Sequence, residues 1–208
     1  MFNYLVKNKN YLILLFTLAY VAAFGINAFS NTNFEFLYYT FLIIILIFVT
    51  ILVNQRLYLD FFIILNLSLL GFFHLLGGNL WFQDLRLYDF YIIPGIFRYD
   101  NFVHTYGSFI ATLALYSLLS NYIDQKIKQK FFIFSFILMF IAMGIGTIVE
   151  LFELYAVIFF NAARQVGDYY NNAFDLFFNT LGAIFGTIFI YFYRQPPKFI
   201  RRINYHDQ

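Results

Sequence analysis

Apolar residues run along this chain in six long blocks, at about residues 11–29, 36–54, 61–82, 101–120, 131–159 and 174–193, and the intervening stretches hold most of the charges. Each block comes close to or exceeds the roughly 20 residues that an α-helix needs to cross hydrocarbon. A stretch such as FLIIILIFVTILV lacks the period-two alternation of a lipid-facing barrel strand. A helix satisfies its own backbone polar groups in hydrocarbon, so the pattern predicts an all-α fold, a polytopic membrane helix bundle with six transmembrane helices. We expect a single integral membrane domain over residues 1–208, with no soluble domain beside it. Lys7 and Lys9 ahead of the first block imitate the charged start of a secretory signal. That block is too long for one and no small-x-small cleavage pattern follows, so it reads as an uncleaved span.

Composition agrees with the pattern. Hydrophobic residues make up 62% of the chain and charged residues only 12%, and aromatic residues reach 25%, which excludes both a water-soluble globule and a disordered chain. There is no cysteine, so thiolate chemistry and disulfides are excluded. The net charge of +2 is scattered, with no basic run suited to nucleic acid. Lysine and arginine do separate by side. Ten fall in the N-terminus, the Arg56 loop, the Lys126–Lys130 loop and the tail, against three (Arg86, Arg98 and Arg164) in the other connections. The positive-inside rule then places both termini in the cytoplasm, N-in and C-in, with a basic cytoplasmic tail over 194–208 stopped off from the last span by Pro196-Pro197. The connection from Gln83 to Asp100 is expected in the outer interface, with a short horizontal helix.

Ionisable residues inside the spans carry the functional signal, because each charge near mid-bilayer costs about 2.5–3.5 kcal/mol. From Tyr11 to Asn54 the only one is Glu35, in an outer connection, so the first two spans read as scaffold. The other four deliver polar groups to one leaflet. His74 lies roughly 20 Å along the third span. Asp100 and His104 share a face at i and i+4 on the fourth, and Glu150 and Glu153 at i and i+3 on the fifth. On the sixth, Asp175, Asn179 and Gly182 fall at successive turns, with Asp168 just before them. Each has a plainer reading. Asp100-Asn101 and Asn171-Asn172 suit helix N-caps, His74 beside Gly77-Gly78 suits an interhelical hydrogen bond, and the glutamates could face headgroups. Gly144-x-Gly146 and Gly182-x3-Gly186 suit close helix packing beneath the polar groups.

If the groups converge, they suit a membrane enzyme or binding protein for a lipid or lipid-linked substrate. Glu150 or Glu153 would then serve as base, His104 as proton donor or ligand, and Asp100 and Asp175 as orienting groups. A divalent metal is the cofactor such a set would take, with His74, His104, Asp100, Glu150 and Asp175 as ligands. His74, Asn179 and Asp168 would contact substrate. A small proton- or ion-coupled transporter and a non-catalytic packing or partner-binding protein are the alternatives. The bilayer is the one partner the sequence names, and it does not give the oligomeric state.

The strings FHLLGGN, YDNFVHTYGSF, VELFELYAV and VGDYYNNAFDLFFNTLGA, in this order, resemble the YjdF-type family of multi-pass membrane proteins and, more distantly, the VanZ-like group. The matching positions are His74, Gly77, Gly78, Tyr99, Asp100, His104, Gly107, Glu150, Glu153, Gly167, Asp168, Asp175, Gly182 and Ala183. Where the family tends to have Arg and Gly around the first Asp–His pair, this chain has Asn101 and Val103. Where it tends to have Trp-Asp-x-Gln before the last Asp, this chain has Tyr170, Asn171, Asn172 and Ala173. The resemblance implies a cell-membrane protein of the cell envelope and no particular reaction.

Overall fold

The computed structural model describes residues 9–120, 122–192 and 200–202. Among these, six helices are long and apolar enough to cross a membrane. They are α1 (Lys9–Ser30), α2 (Phe34–Arg56), α3 (Phe61–Asn79), α4 (Tyr99–Leu119), α6 (Phe131–Phe160) and α8 (Tyr169–Phe192). Short helices α5 (Gln125–Gln129) and α7 (Ala163–Val166) stand before α6 and α8. The predicted tail 194–208 lies outside the described residues apart from 200–202, which pair antiparallel with Leu57–Leu59.

Local chemistry explains the helix ends. Asn33 and Asp60 cap α2 and α3, each accepting a hydrogen bond from a backbone N–H of the first turn. The third span ends at Asn79 rather than at residue 82, because Leu80 turns extended and Trp81–Phe82 pairs with Leu85–Arg86. Gln83 and Asp84, at φ 48° and 66°, make the two-residue turn of that hairpin. A second hairpin pairs Tyr91–Ile93 with Phe97–Arg98 around Pro94-Gly95. Gly95 takes φ 71° and the Ile96 N–H donates to the Ile93 carbonyl, the geometry of a type II turn. The expected horizontal helix is therefore two hairpins joined by a single 3₁₀ turn, Leu87–Asp89. The thirty-residue α6 stops at Asn161, which adopts the left-handed conformation that closes many helices. The sixth span begins at Tyr169, five residues ahead of the first large apolar side chain that marked it in the sequence.

Packing sorts the helices. Within their most apolar windows α2 buries 17% of residues whereas α4 and α8 bury 39%, so α2 faces lipid and the α4–α8 pair forms the centre. Gly182 and Gly186 explain how close that pair comes. A Cβ on Gly182 would run into the Thr105 carbonyl oxygen, and one on Gly186 would lie 2.7 Å from Thr112 Cβ. α6 packs on the pair from one side and α3 on α4 from another, with α1 behind α3. Two apolar clusters fill the bundle. One, around Ile110, Leu113, Phe134, Leu138 and Ile190, lies toward the end where α4 and α8 finish. The other includes Phe36, Tyr39, Leu75, Tyr88, Val103 and Ala156 and lies where α3 and α6 finish.

Candidate functional site

At the end of the bundle where α4 and α8 begin and α3 and α6 finish, five ionisable side chains meet. Their positions follow from how the two helices start. Arg98 is extended, and its N–H donates to Asn101 Oδ1 at 2.9 Å, so Asn101 closes the start of α4. Asp100 is thereby free of capping duty and turns to His104, with 3.4 Å between Oδ1 and Nε2. Before α8, Gly167 takes φ 93° and Asp168 Oδ1 accepts from the Asn171 N–H at 3.1 Å. Asn171 is held by its Nδ2, which donates to the Val166 carbonyl at 2.9 Å and to Asp175 Oδ2 at 2.7 Å.

His104 stands at the middle of the group. Its Nδ1 lies 3.7 Å from Glu150 Oε1, and its Nε2 lies 3.8 Å from Asp175 Oδ1 and 4.0 Å from Glu153 Oε1. Potential ligand atoms of Asp100, His104 and Asp175 lie within 4.8 Å of one another, as do those of Glu150, Glu153 and Asp175. Asp175 belongs to both sets and is wholly buried. Neither carboxylate oxygen of Glu150, itself buried, has a hydrogen-bond partner among the described residues. Buried polar atoms are satisfied in the large majority of cases, so a carboxylate whose nearest charged neighbour is His104 at 3.7 Å, with no hydrogen bond made, has capacity for a further partner.

The remaining expected residues fall elsewhere. Asn179 lies a turn deeper than Asp175; its Oδ1 accepts from Ser108 Oγ at 2.9 Å and its side chain rests on Gly146, so it ties α8 to α4 and α6. His74 stands apart from both ligand sets. Its Nδ1 lies 2.5 Å from the Tyr88 hydroxyl, and the rings of Phe36 and Tyr39 flank it at 5.8 and 5.1 Å between centroids. Burial pushes the Tyr88 phenol well above its ordinary value, so it keeps its proton for that bond. Gly77 leaves room for this arrangement, since a Cβ there would come within 2.5 Å of the Tyr88 ring. Asp168 sits on the rim of a cavity of about 550 Å³ that also borders Arg98, Asn101 and Asn171.

Several participants carry no signal of their own in the sequence. Arg98 reads there only as a topology charge, yet it donates through Nη2 to Asn171 Oδ1. Asn101 Nδ2 also points at Asp175 Oδ1, at 3.5 Å. Glu35 is not loose in a connection but buried in the first turn of α2, where it meets Arg86 at 3.4 Å. Arg86 also contacts Asp89 at 3.3 Å, so this pair fastens the hairpin connection to the second span. Two arginines in a connection otherwise dominated by aromatic and aliphatic residues were the available cue.

No curated protein and no solved structure matches the chain. A family model, described as a predicted membrane protein (DUF2238), matches residues 11–196, a stretch that takes in the six long helices, but for the first two residues of α1, and every member of the His–carboxylate group. The chain is a multi-pass integral membrane protein belonging to the DUF2238 family.

Proposed function

We propose that the His–carboxylate group holds a divalent cation and that the protein uses it to bind and process a lipid-linked substrate at the outer leaflet of the cell membrane. The observation that carries this reading is the convergence on Asp175 of two sets of potential ligand atoms, each set within 4.8 Å. When all four are ionised, Asp100, Glu150, Glu153 and Asp175 carry more negative charge than a protonated His104 and the nearby Arg98 can balance. A single divalent ion provides the missing charge in a place where water cannot. We assign Asp100, His104, Glu150 and Asp175 as its ligands and Glu153 as the adjacent base. His74, engaged by Tyr88, is a supporting residue on this reading. A cation among mainly oxygen donors would be of the Mg²⁺ or Mn²⁺ kind, and it would polarise a phosphoryl or carbonyl oxygen of the substrate.

A one-sided binding centre fits the distribution of charge better than a transport path. In the six long helices the other ionisable residues of the Asp, Glu, His, Lys and Arg types are Glu35 and His74 at the same end, and Lys9 and Arg56 at the far one. The excess of Lys and Arg in the opposite connections supports an outward-facing site, and the likeness to YjdF-type and VanZ-like sequences supports the cell envelope.

The test is elemental analysis of the protein purified into lipid nanodiscs after incubation with Mg²⁺, Mn²⁺, Ca²⁺ or Zn²⁺. Wild type retains one of these ions in stoichiometric amount, and Asp175→Asn and Glu150→Gln, eluting as wild type on gel filtration, lose it. A wild type that retains none of the four, or an Asp175→Asn variant that retains as much as wild type, overturns the reading.

A further inference from the structure

We infer that the cavity beside the His–carboxylate group is the seat of an anionic lipid headgroup, with Arg98 binding its phosphate. This rests on the cation reading for the catalytic half of the site and adds the class of substrate. The cavity, about 550 Å³, is large enough for a phosphorylated headgroup and is walled by two kinds of residue. Arg98, Asn101 and Asn171 give it a polar floor, and Tyr91, Ile96 and Phe174 give it apolar sides.

The floor is shared with the centre below it. Asn101 and Asn171 both reach Asp175, so a group resting on these asparagines is one side chain away from the proposed cation. Arg98 is half-buried at this boundary. Its guanidinium has one hydrogen bond, to the uncharged amide of Asn171, and no ion pair within 4 Å among the described residues. A guanidinium held by a single neutral partner keeps donors for an anion, and its planar fork suits a phosphate. Asp168 also lines the cavity; its Oδ1 accepts the Asn171 N–H, which turns that oxygen toward the start of α8, while its negative charge remains on the lining.

The sides indicate that the anion arrives on a lipid rather than free in water. Among the residues that line the cavity, Ile96 is 70% exposed and Tyr91 and Phe174 are each about half exposed, and Ile92 and Ile93 continue the exposed apolar hairpin next to Tyr91. Tyr169 and Tyr170 stand beside them at the start of α8, also exposed. Aromatic side chains collect at headgroup level in membrane proteins, and an exposed apolar hairpin at a cavity mouth is a surface that acyl chains can cover. An amphiphile can therefore place its chains along the hairpin and its phosphate against Arg98.

Native mass spectrometry of protein extracted from nanodiscs containing equal amounts of dioleoyl phosphatidic acid and dioleoyl phosphatidylcholine tests this, with metal content measured on the same samples. Wild type retains phosphatidic acid in at least tenfold preference. Arg98→Gln abolishes the preference while keeping the metal, Arg98→Lys restores part of it, and Ala163→Phe, which fills the cavity without touching Arg98, abolishes it independently. Inorganic phosphate at millimolar concentration does not compete. Equal retention of both lipids by wild type, or unchanged preference in Arg98→Gln and Ala163→Phe, overturns the inference, and displacement of the lipid by free phosphate overturns its lipid half. Loss of metal from wild type with the lipid preference intact would instead sink only the cation reading.

Discussion

Replacing Gly182 by alanine adds one methyl group at the tightest point of the bundle, and its effect can be worked out from the contacts. The new Cβ would meet the Thr105 carbonyl oxygen in a clash, the Thr105 carbonyl carbon at 2.9 Å and Ser108 Cβ at 3.0 Å. Two of these atoms are backbone of α4, which cannot swing aside as a side-chain tip can, so the two helices must part. Overpacking of this kind costs about 1–3 kcal/mol, and a backbone clash belongs at the upper end. Alanine recovers about 1 kcal/mol of helix propensity, which leaves a net loss of about 2 kcal/mol. At roughly 2–4 °C per kcal/mol for a chain of this size, the midpoint falls by about 4–8 °C. Gly144→Ala is the matched control, because a Cβ there meets nothing within 4 Å. It keeps the propensity gain without the clash and leaves the midpoint equal to wild type or slightly above it. The assay is gel filtration after stepwise heating in one detergent, following the surviving peak. If Gly182→Ala proves as stable as Gly144→Ala, the close α4–α8 contact does not exist as described.

Arg86→Met leaves the buried Glu35 without its arginine and should cost about 3–5 kcal/mol, whereas Glu35→Gln, after which Arg86 still meets Asp89, should cost less, both measured by the same heating assay. The double variant Glu35→Gln/Arg86→Met should lose less than the sum of the two single variants, and additive losses would show that the two side chains do not interact. The chain has no cysteine, so single cysteines report orientation without interference. Tyr169→Cys should react with a membrane-impermeant maleimide on intact cells, and Lys126→Cys only after permeabilisation; the reverse pattern would refute the outward-facing site.

The six spans were readable because a run of Phe, Ile and Leu as long as a bilayer is thick has one solution in lipid. Their ends were less so. Tyr169-Tyr170-Asn171-Asn172 looks like loop by polarity, yet Asp168 caps it into the first turn of α8. Gln83-Asp84 forms a left-handed turn without the glycine that would have announced a hairpin. Within the site, Asp100 with His104 and Glu150 with Glu153 were legible as pairs, since helical spacing fixes which side chains share a face. The contacts between helices were not. Arg98 and Asn171 are 73 positions apart, and Glu35 and Arg86 are 51 apart, with nothing local to connect them. His74 shows how grouping by residue type differs from grouping by contact. It shares a chemistry with His104, but the 3₁₀ turn brings Tyr88 onto it first.

The length of α6 sets a condition on the membrane itself. Thirty residues extend about 45 Å against a hydrocarbon layer of about 30 Å, so the helix must tilt or protrude. With Phe131 at one boundary beside Lys126, Lys128 and Lys130, Glu150 stands about 29 Å along the helix axis, close to the full depth of the hydrocarbon layer. Longer acyl chains would immerse the glutamates in oil, and shorter ones would lift them into headgroup water. Hydrophobic mismatch thus couples the environment of these carboxylates, and with it their ease of ionisation, to the thickness of the surrounding lipid.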